Sequence, residues 1–314
     1  MSLTIIESGF MTMLQDYGRF GWHQSGITQG GPMDEHAFLW ANKLLQNEFN
    51  APQLEVCMGG FSARFEHDTR IVVCGAEVKV TLNEQVIQMW QTHLIHAGDE
   101  IHIGTTNNGL YVYLAVQDGF QTALKLGSVS TVMREGLGGL QGDGAKLSKG
   151  DSIEYLEQMN LNSMSNSVIP NRFLPKYPEE ITLRFMVNQT STACSAQVVE
   201  DFVQQQFIVS SKINRMGYRL AAQSKIDAPQ NSLISQGVSM GAIQLPPDGE
   251  PIVLMKDKQT IGGYSQIGCL AYLDIAKLSQ CKSGTKLRFA PIELNSIEQE
   301  FKEYLKFFAV KIAR

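Results

Sequence analysis

Short apolar runs, some alternating and some continuous, are separated by turn residues along most of the chain and predict a mainly β protein. Residues 71–74 read as a buried strand, and Val78-Lys79-Val80-Thr81-Leu82 alternates as a half-buried one. Asn83-Glu84 is placed to turn that strand into the run 86–90. Asn107-Asn108-Gly109 stands between Ile101-His102-Ile103 and the run 110–116, a strong hairpin signal. Helical spacing is confined to a few stretches. One covers 36–45, with Asp34 as its N-cap. A second covers 295–308, with Ile297, Phe301, Leu305 and Phe308 on one face, and a weaker third covers 200–206. Three tetrapeptides, beginning at Gly98, Gly150 and Gly284, each set a turn glycine directly before an alternating strand, which suits repeated β-barrel construction. Periodicity lapses over 160–180, a stretch with Pro170, Pro175 and Pro178, so domains are expected at 1–170 and 171–314.

Two segments concentrate chemistry. In 254–264 an apolar run gives way to Lys256, Asp257, Lys258, Gln259 and Thr260, followed by Gly262, Gly263 and Tyr264. This is how a buried strand delivers polar groups to the rim of a barrel, and glycines there let a ligand approach backbone N–H donors. The competing reading is an ordinary tight turn. In 214–220, a period of two puts Arg215, Gly217 and Arg219 on one face and Met216, Tyr218 and Leu220 on the other. Two guanidinium forks flanking a bare glycine match a carboxylate or phosphate, whereas the plain alternative is two separate surface salt bridges.

Bulk properties narrow the field. With 314 residues, 43% hydrophobic and 18% charged, the chain has the balance of a globular protein large enough for two cores. A formal net charge of −5 and no basic stripe argue against nucleic-acid binding. The first residues show no secretory pattern, and no apolar run is long enough to span a bilayer. Cys57, Cys74, Cys194, Cys269 and Cys281 form no C-x-x-C pair and read as reduced thiols of a cytoplasmic protein. Asn188-Gln189-Thr190 is a glycosylation sequon by pattern, taken as a chance match. There is no Walker loop, and the glycines of 136–142 miss the dinucleotide fingerprint by one residue. Met255-Lys256 has the central pair of a biotin-carrying hairpin but not its flanks, so covalent biotin is not expected. His93 and His96 lack a third metal ligand nearby, and His23 beside Trp22 is expected to be packed.

Ordered matches along nearly the whole chain carry a resemblance. They run from Leu14-Gln15-Asp16-Tyr17-Gly18-Arg19 through Gly30-Gly31-Pro32-Met33-Asp34, Ala41-Asn42, Leu54-Glu55 and Tyr113-Leu114-Ala115-Val116. Leu126-Gly127-Ser128, Ser130-Thr131, Arg215 to Leu220, Gly241-Ala242-Ile243-Gln244, and Gly249, Pro251 and Ile252 follow. On these residues the chain resembles the C-subunit family of 5-oxoprolinase, also called KipA-like or allophanate hydrolase subunit 2-like, which is related to the carboxyltransferase part of urea carboxylase. It departs from the family at Ser265, where proline is usual, and at Asp143, where arginine is usual.

The resemblance implies two tandem cyclophilin-like β-barrel domains with a few peripheral helices. It also implies one component of an ATP-dependent enzyme that opens 5-oxoproline to glutamate, inactive without its partners. Those are a B-subunit-like (KipI-like) protein and an A-subunit-like (LamB/YcsF-like) protein, with ATP and Mg²⁺ bound at the level of the complex. On that footing Arg215 and Arg219 are expected to hold a carboxylate or phosphate, with Gly262 and Gly263 offering backbone donors. Asp257 would orient a metal or hold Lys256, which either acts in the site or snorkels at the surface. Gln244, Gln259, Thr260, Tyr264 and Tyr218 would shape the substrate pocket. Gln15, Asp16, Arg19 and Asp34 belong either to the same cleft or to a partner interface. Two other readings stand beside this one: a binding protein antagonising a kinase inhibitor, and a carboxyltransferase acting on urea-like amides.

Overall fold

Strands that are apolar on every residue need cover on both faces, and the first half of the chain supplies it. The structure, a computed structural model, describes residues 1–158, 166–188, 195–227 and 234–311. The chain divides into two compact units. One comprises Met1–Phe20, Gly30–Lys176 and Phe307–Arg314, the other Gly21–Gln29 and Tyr177–Lys306. The break therefore falls after Lys176 rather than at 170, and 21–29 and the C-terminal segment each belong to the unit opposite to their place in sequence. Residues 160–165 of the expected linker, Cys194, and Gln189 and Thr190 of the sequon lie outside the described residues.

The first unit contains β1 (Ser2–Ser8), β2 (Met11–Gln15), α1 (Glu35–Leu45), β3 (Gln53–Cys57), β4 (Gly59–Phe65), β5 (Thr69–Glu77), β6 (Val80–Leu82) and β7 (Gln85–Ile87). It continues with β8 (Thr92–Ile95), β9 (Glu100–Thr105), β10 (Asn108–Val116), β11 (Phe120–Gln121) and β12 (Ser152–Tyr155). These form a seven-stranded sheet, β11-β12-β1-β4-β9-β6-β7, and a five-stranded sheet, β2-β3-β10-β5-β8. Leu3, Ile5, Phe61, Phe65 and Ile103 from the first meet Leu54, Val56, Ile71, Val73 and Val112 from the second in one core. Helix α1 packs on β5 and β10, with Phe38 edge-on to Tyr113. This second layer explains why β3, β5 and β10 are buried almost throughout. Asp34 caps α1 by accepting from the Ala37 N–H, as its sequence position predicts.

Asn83 and Glu84, both at positive φ, form the predicted turn between β6 and β7. The second predicted hairpin does not form. β9 pairs with β4 and β6, while β10 pairs with β3 and β5, so Asn107-Asn108-Gly109 carries the chain from one sheet to the other. A bulge between Asn108 and Val112 accompanies the change of sheet.

The second unit contains β13 (Glu180–Val187), α2 (Ala196–Gln204), β14 (Phe207–Asn214), β15 (Gly217–Ala222), β16 (Gln236–Gly237) and β17 (Ala242–Leu245). After these come β18 (Ile252–Leu254), β19 (Ile261–Gly262), β20 (Ser265–Leu270), α3 (Tyr272–Ser279), β21 (Lys286–Pro291) and α4 (Leu294–Phe307). Seven strands close into a barrel in the order β13-β20-β17-β18-β15-β14-β21, sealed by a parallel pairing of β21 with β13. Phe185, Phe202, Phe207 and Phe289 pack together inside, with neighbouring ring centroids 4.6 to 6.1 Å apart. Outside, Arg184 grips Asp274 of α3 through Nε and Nη2 and Glu300 of α4 through Nη1. Helix α3 carried no sequence prediction. Its eight residues are too few to show a period distinct from that of a buried strand.

The three glycine turns precede β9, β12 and β21 as expected, with φ of +91°, +89° and +96° at Gly98, Gly150 and Gly284 and open space where a Cβ would stand. Gly59 differs: at φ +76°, its Cβ would lie 1.8 Å from the Gly104 carbonyl oxygen. Gly98→Ala is accordingly expected to cost about 1–2 kcal/mol, the left-handed penalty alone. Gly59→Ala is expected to cost well over that or to prevent folding, and urea denaturation of the two variants side by side checks the contrast.

Candidate functional site

Strand β18 ends at Leu254, and the chain then enters the loop 255–260 beside the turn that joins β14 to β15. That turn is Arg215-Met216, because Asn214 pairs with Gly217 across the hairpin. The Asn214 Oδ1 accepts from the Met216 and Gly217 N–H groups, and this local bond outcompetes continuation of the strand. Arg215 is thus a turn residue and does not share a strand face with Gly217 and Arg219 as the period of two suggested.

Loop and turn are locked together. Met255 N–H donates to the Met216 carbonyl and Asp257 N–H to the Arg215 carbonyl. The Arg215 guanidinium returns the contact, with Nε and Nη2 each 2.8 Å from one Asp257 carboxylate oxygen. Both side chains are buried, so this is a desolvated bidentate pair. Asp257 therefore orients Arg215.

Arg219 lies within β15, beyond the turn that holds Arg215. It donates to Glu250 through Nε and to Asp248 through Nη2, and the Glu250 bond leads in raising its pKa. The two arginines do not converge on a shared anion. Tyr218, on the opposite face of β15, is fully buried and gives its hydroxyl to the Ser279 carbonyl, so it belongs to the barrel core.

What the structure does assemble is the loop itself. Lys256 and Lys258 are 3% and 6% exposed, so Lys256 does not snorkel. Thr260 is also buried, Gln259 is half-buried, and Tyr264 is exposed. Gly262 is a residue of β19, paired with Gln236 of β16, and has no positive φ, so the diglycine is not a left-handed anion nest. Its lack of a side chain has another cause. A Cβ there would stand 2.6 Å from the Gln244 Nε2 and 3.4 Å from the Gln259 Nε2. Two carboxamides thus crowd one bare Cα, and the Gln244 Nε2, in a residue 1% exposed, has no hydrogen-bond partner among the described residues. Gly263 follows as the half-buried link to β20.

The segment 21–29 completes this cluster within the second unit. Thr28 donates through Oγ1 to the Lys258 carbonyl at 2.9 Å, and the Lys258 Nζ lies 3.0 Å from His23 Nε2. His23 is exposed rather than packed, and desolvation followed by the Lys258 charge lowers its pKa. Lys258 and His23 are the contacts that residue patterns missed, since positions 235 apart carry no local signal of proximity.

The N-terminal polar residues Gln15, Asp16, Arg19 and Asp34 belong to the first unit. Asp16 is a buried hub in the first unit: it accepts from Gly18 N–H, both serine hydroxyls of Ser128 and Ser130, and Val129 N–H. Arg19 donates to the carbonyls of Lys125 and Ser130, and Gln15 to that of Thr131. Asp34 sits beside Tyr113, whose hydroxyl accepts from the Asp34 N–H and donates to Glu55. Desolvation, then the Glu55 charge, raises the Tyr113 pKa well above the tyrosine range, which keeps that proton in place. These motifs build architecture.

Other chemistry is sparse. A cleft of about 850 Å³ on the outer face of the seven-stranded sheet is lined by Glu7, Ser62, Thr81 and His102 but by no predicted site residue. Among the described residues there is no grouping of three or more metal-ligating side chains, and no helix is long and apolar enough to cross a membrane. Burial pushes the Cys269 thiol up to about 11 and Cys281 to about 12, so neither is a ready nucleophile.

Known proteins share this architecture. The family described as carboxyltransferase domain, subdomain A and B, matches residues 25–291. The C subunit of 5-oxoprolinase from Escherichia coli (strain K12) is 32% identical, over 98% of this chain and 96% of its own length. The Kluyveromyces lactis urea carboxylase structure superposes with a TM-score of 0.88 at 25% identity, covering 98% of this chain and 29% of the larger one. The K. lactis urea amidolyase gives 0.87 at 25% identity, where this chain spans 20% of the length.

Burial sets the expected effect of breaking each ion pair. Asp257→Ala removes the bidentate partner of a buried guanidinium and is expected to destabilise the protein by about 3–5 kcal/mol. Arg219→Ala, at a part-exposed pair, is expected to cost about 1 kcal/mol or less. Urea denaturation curves for both variants check the ranking.

Proposed function

The chain belongs to the carboxyltransferase subdomain A and B family and to the 5-oxoprolinase C-subunit group within it, and from that premise we propose that it serves as the C subunit of an ATP-dependent 5-oxoprolinase. One geometric observation carries the reading: Arg215, Lys256 and Lys258 are brought, all buried, to a single loop that contains one carboxylate, Asp257. Such a donor set suits an oxyanion, either a substrate carboxylate or the oxygens of a phosphoryl group in transfer. Each Asp257 oxygen accepts one hydrogen bond from Arg215.

A lactam carbonyl is a poor electrophile; phosphoryl transfer from ATP to its oxygen would activate the carbon, and water would add there. The C–N bond would break with a proton going to nitrogen, and a second water would hydrolyse the resulting acyl phosphate to glutamate and phosphate. The residues of this chain contribute positioning and charge. Asp257 holds Arg215 at the turn, Lys258 and Lys256 stabilise negative charge developing on oxygen, and Gln244 and Gln259 offer amide N–H donors to a carbonyl or carboxylate oxygen. Thr260 and Tyr264 border the same loop. The burial of Lys256 also speaks against a covalent biotin carrier, whose lysine must be exposed to swing between sites.

ATP with Mg²⁺ belongs to the complex formed with B-subunit-like and A-subunit-like partners. The higher identity, 32% to the E. coli C subunit against 25% to the K. lactis urea carboxylase, favours this reading over urea carboxylation. Purified with both partners, the complex is expected to hydrolyse ATP only when 5-oxoproline is present and to release glutamate, while the chain alone turns over neither. Lys258→Met is expected to lower kcat/KM by about 10²-fold. Hydrolysis of ATP indifferent to 5-oxoproline, or turnover by the isolated chain, refutes the proposal; stable partner binding without hydrolysis points to the kinase-inhibitor antagonist instead.

A further inference from the structure

The segment 21–29 is a strap that reaches the loop 255–260 through Thr28 and His23. At one end Thr28 Oγ1 fixes the Lys258 carbonyl, and at the other His23 Nε2 stands 3.0 Å from the same residue's Nζ. Gly21 and Gly26, at φ +86° and +78° with open space around them, bracket the 3₁₀ turn His23–Ser25 that presents the imidazole. An ammonium has only donors, so His23 accepts here, and it can do so only as neutral imidazole with its proton on Nδ1. Lys258 Nζ also reaches the Gln259 carbonyl at 3.4 Å, which places the ammonium between an imidazole and a peptide oxygen.

We propose that His23 is a positioning residue for Lys258, holding the ammonium in the anion site through an acceptor that is lost on protonation. The inference rests on the reading of Lys258 as an oxyanion-binding group. The strap carries no other titratable side chain. From the loop packed against it the charged groups are Lys256, Asp257 and Lys258, of which Asp257 is turned onto Arg215. Partial desolvation of the imidazole and the neighbouring ammonium both disfavour imidazolium, so the bond is intact above the ordinary histidine range and is lost as pH falls through the lowered value of His23. Protonation has two opposed effects. It unseats Lys258, and it adds a cation to a site that binds an anion. Acidification therefore lowers kcat without raising KM for the anionic substrate.

The test has two arms. In the full-length chain, imidazole resonances are followed by NMR against pH, with His23→Gln providing the assignment. His23 is expected to titrate below the ordinary histidine value and to move up toward it in Lys258→Met; an unchanged midpoint in that variant overturns the pairing. In the assembled complex, His23→Ala is expected to lower kcat about tenfold. His23→Gln, which keeps an acceptor but cannot titrate, is expected to restore most of kcat and to abolish the acid fall. A wild-type acid fall in His23→Gln overturns the inference. Should the complex show no 5-oxoproline-dependent turnover, the functional reading fails on its own, and the NMR arm still decides the pairing.

Discussion

The second unit's polar loop depends on the way Arg215 and Asp257 hold each other twice, once through the backbone and once through a bidentate ion pair. A lone guanidinium or carboxylate at that depth would face a desolvation cost of several kcal/mol. Together, with two parallel charge-assisted bonds at 2.8 Å, they fix the turn Arg215-Met216 against the first residues after β18. Everything downstream is set from that anchor: Lys256 and Lys258 flank the tethered aspartate, Thr260 offers its carbonyl to Val238, and Gly262 reaches β16 beneath the two glutamines. Catalytic electrostatics needs charges that are already oriented when the reaction begins, and a pair rigid enough to survive burial provides that.

Much of the architecture was legible because it is dictated locally. The N-cap at Asp34, the turn at Asn83-Glu84 and the glycines before β9, β12 and β21 each follow from one or two residues and their permitted φ. The failures share a different origin. Asn108-Gly109 has the composition of a hairpin turn, yet hydrogen-bonding partners from β3 and β5 on one side and β4 and β6 on the other draw its flanking strands into separate sheets. Arg215 fits a strand period, but the Asn214 side chain bends the backbone there. The arginine clamp was drawn from spacing alone, and spacing gives no sign that Asp248 and Glu250 stand beside Arg219. Lys258 and His23 escaped because the chain brings them together only through tertiary structure.

Several first-half motifs that carry the family resemblance are held in buried hydrogen-bond networks. Asp16, Arg19, Ser128 and Ser130 form a buried network in which one carboxylate satisfies four donors, and Glu55, Tyr113 and Met33 do similar work at the start of α1. Buried polar networks of this kind tolerate little change, since each deletion strands a partner in low dielectric. Sequence motifs held in such networks read as functional when they are architectural, whereas the loop 255–260 is polar and buried without being a hub of the barrel core.

The distance in sequence between His23 and Lys258 has a consequence for biosynthesis. During vectorial synthesis the strap leaves the ribosome 235 residues before its partner lysine exists. The barrel's sealing strand β21 is later still, and it pairs in parallel with the much earlier β13. A nascent chain therefore carries this glycine-flanked segment without its loop partner until Lys258 has been made. Loop-closure entropy of this order favours slow, late consolidation, so maturation of the cationic centre waits until both distant segments have been made.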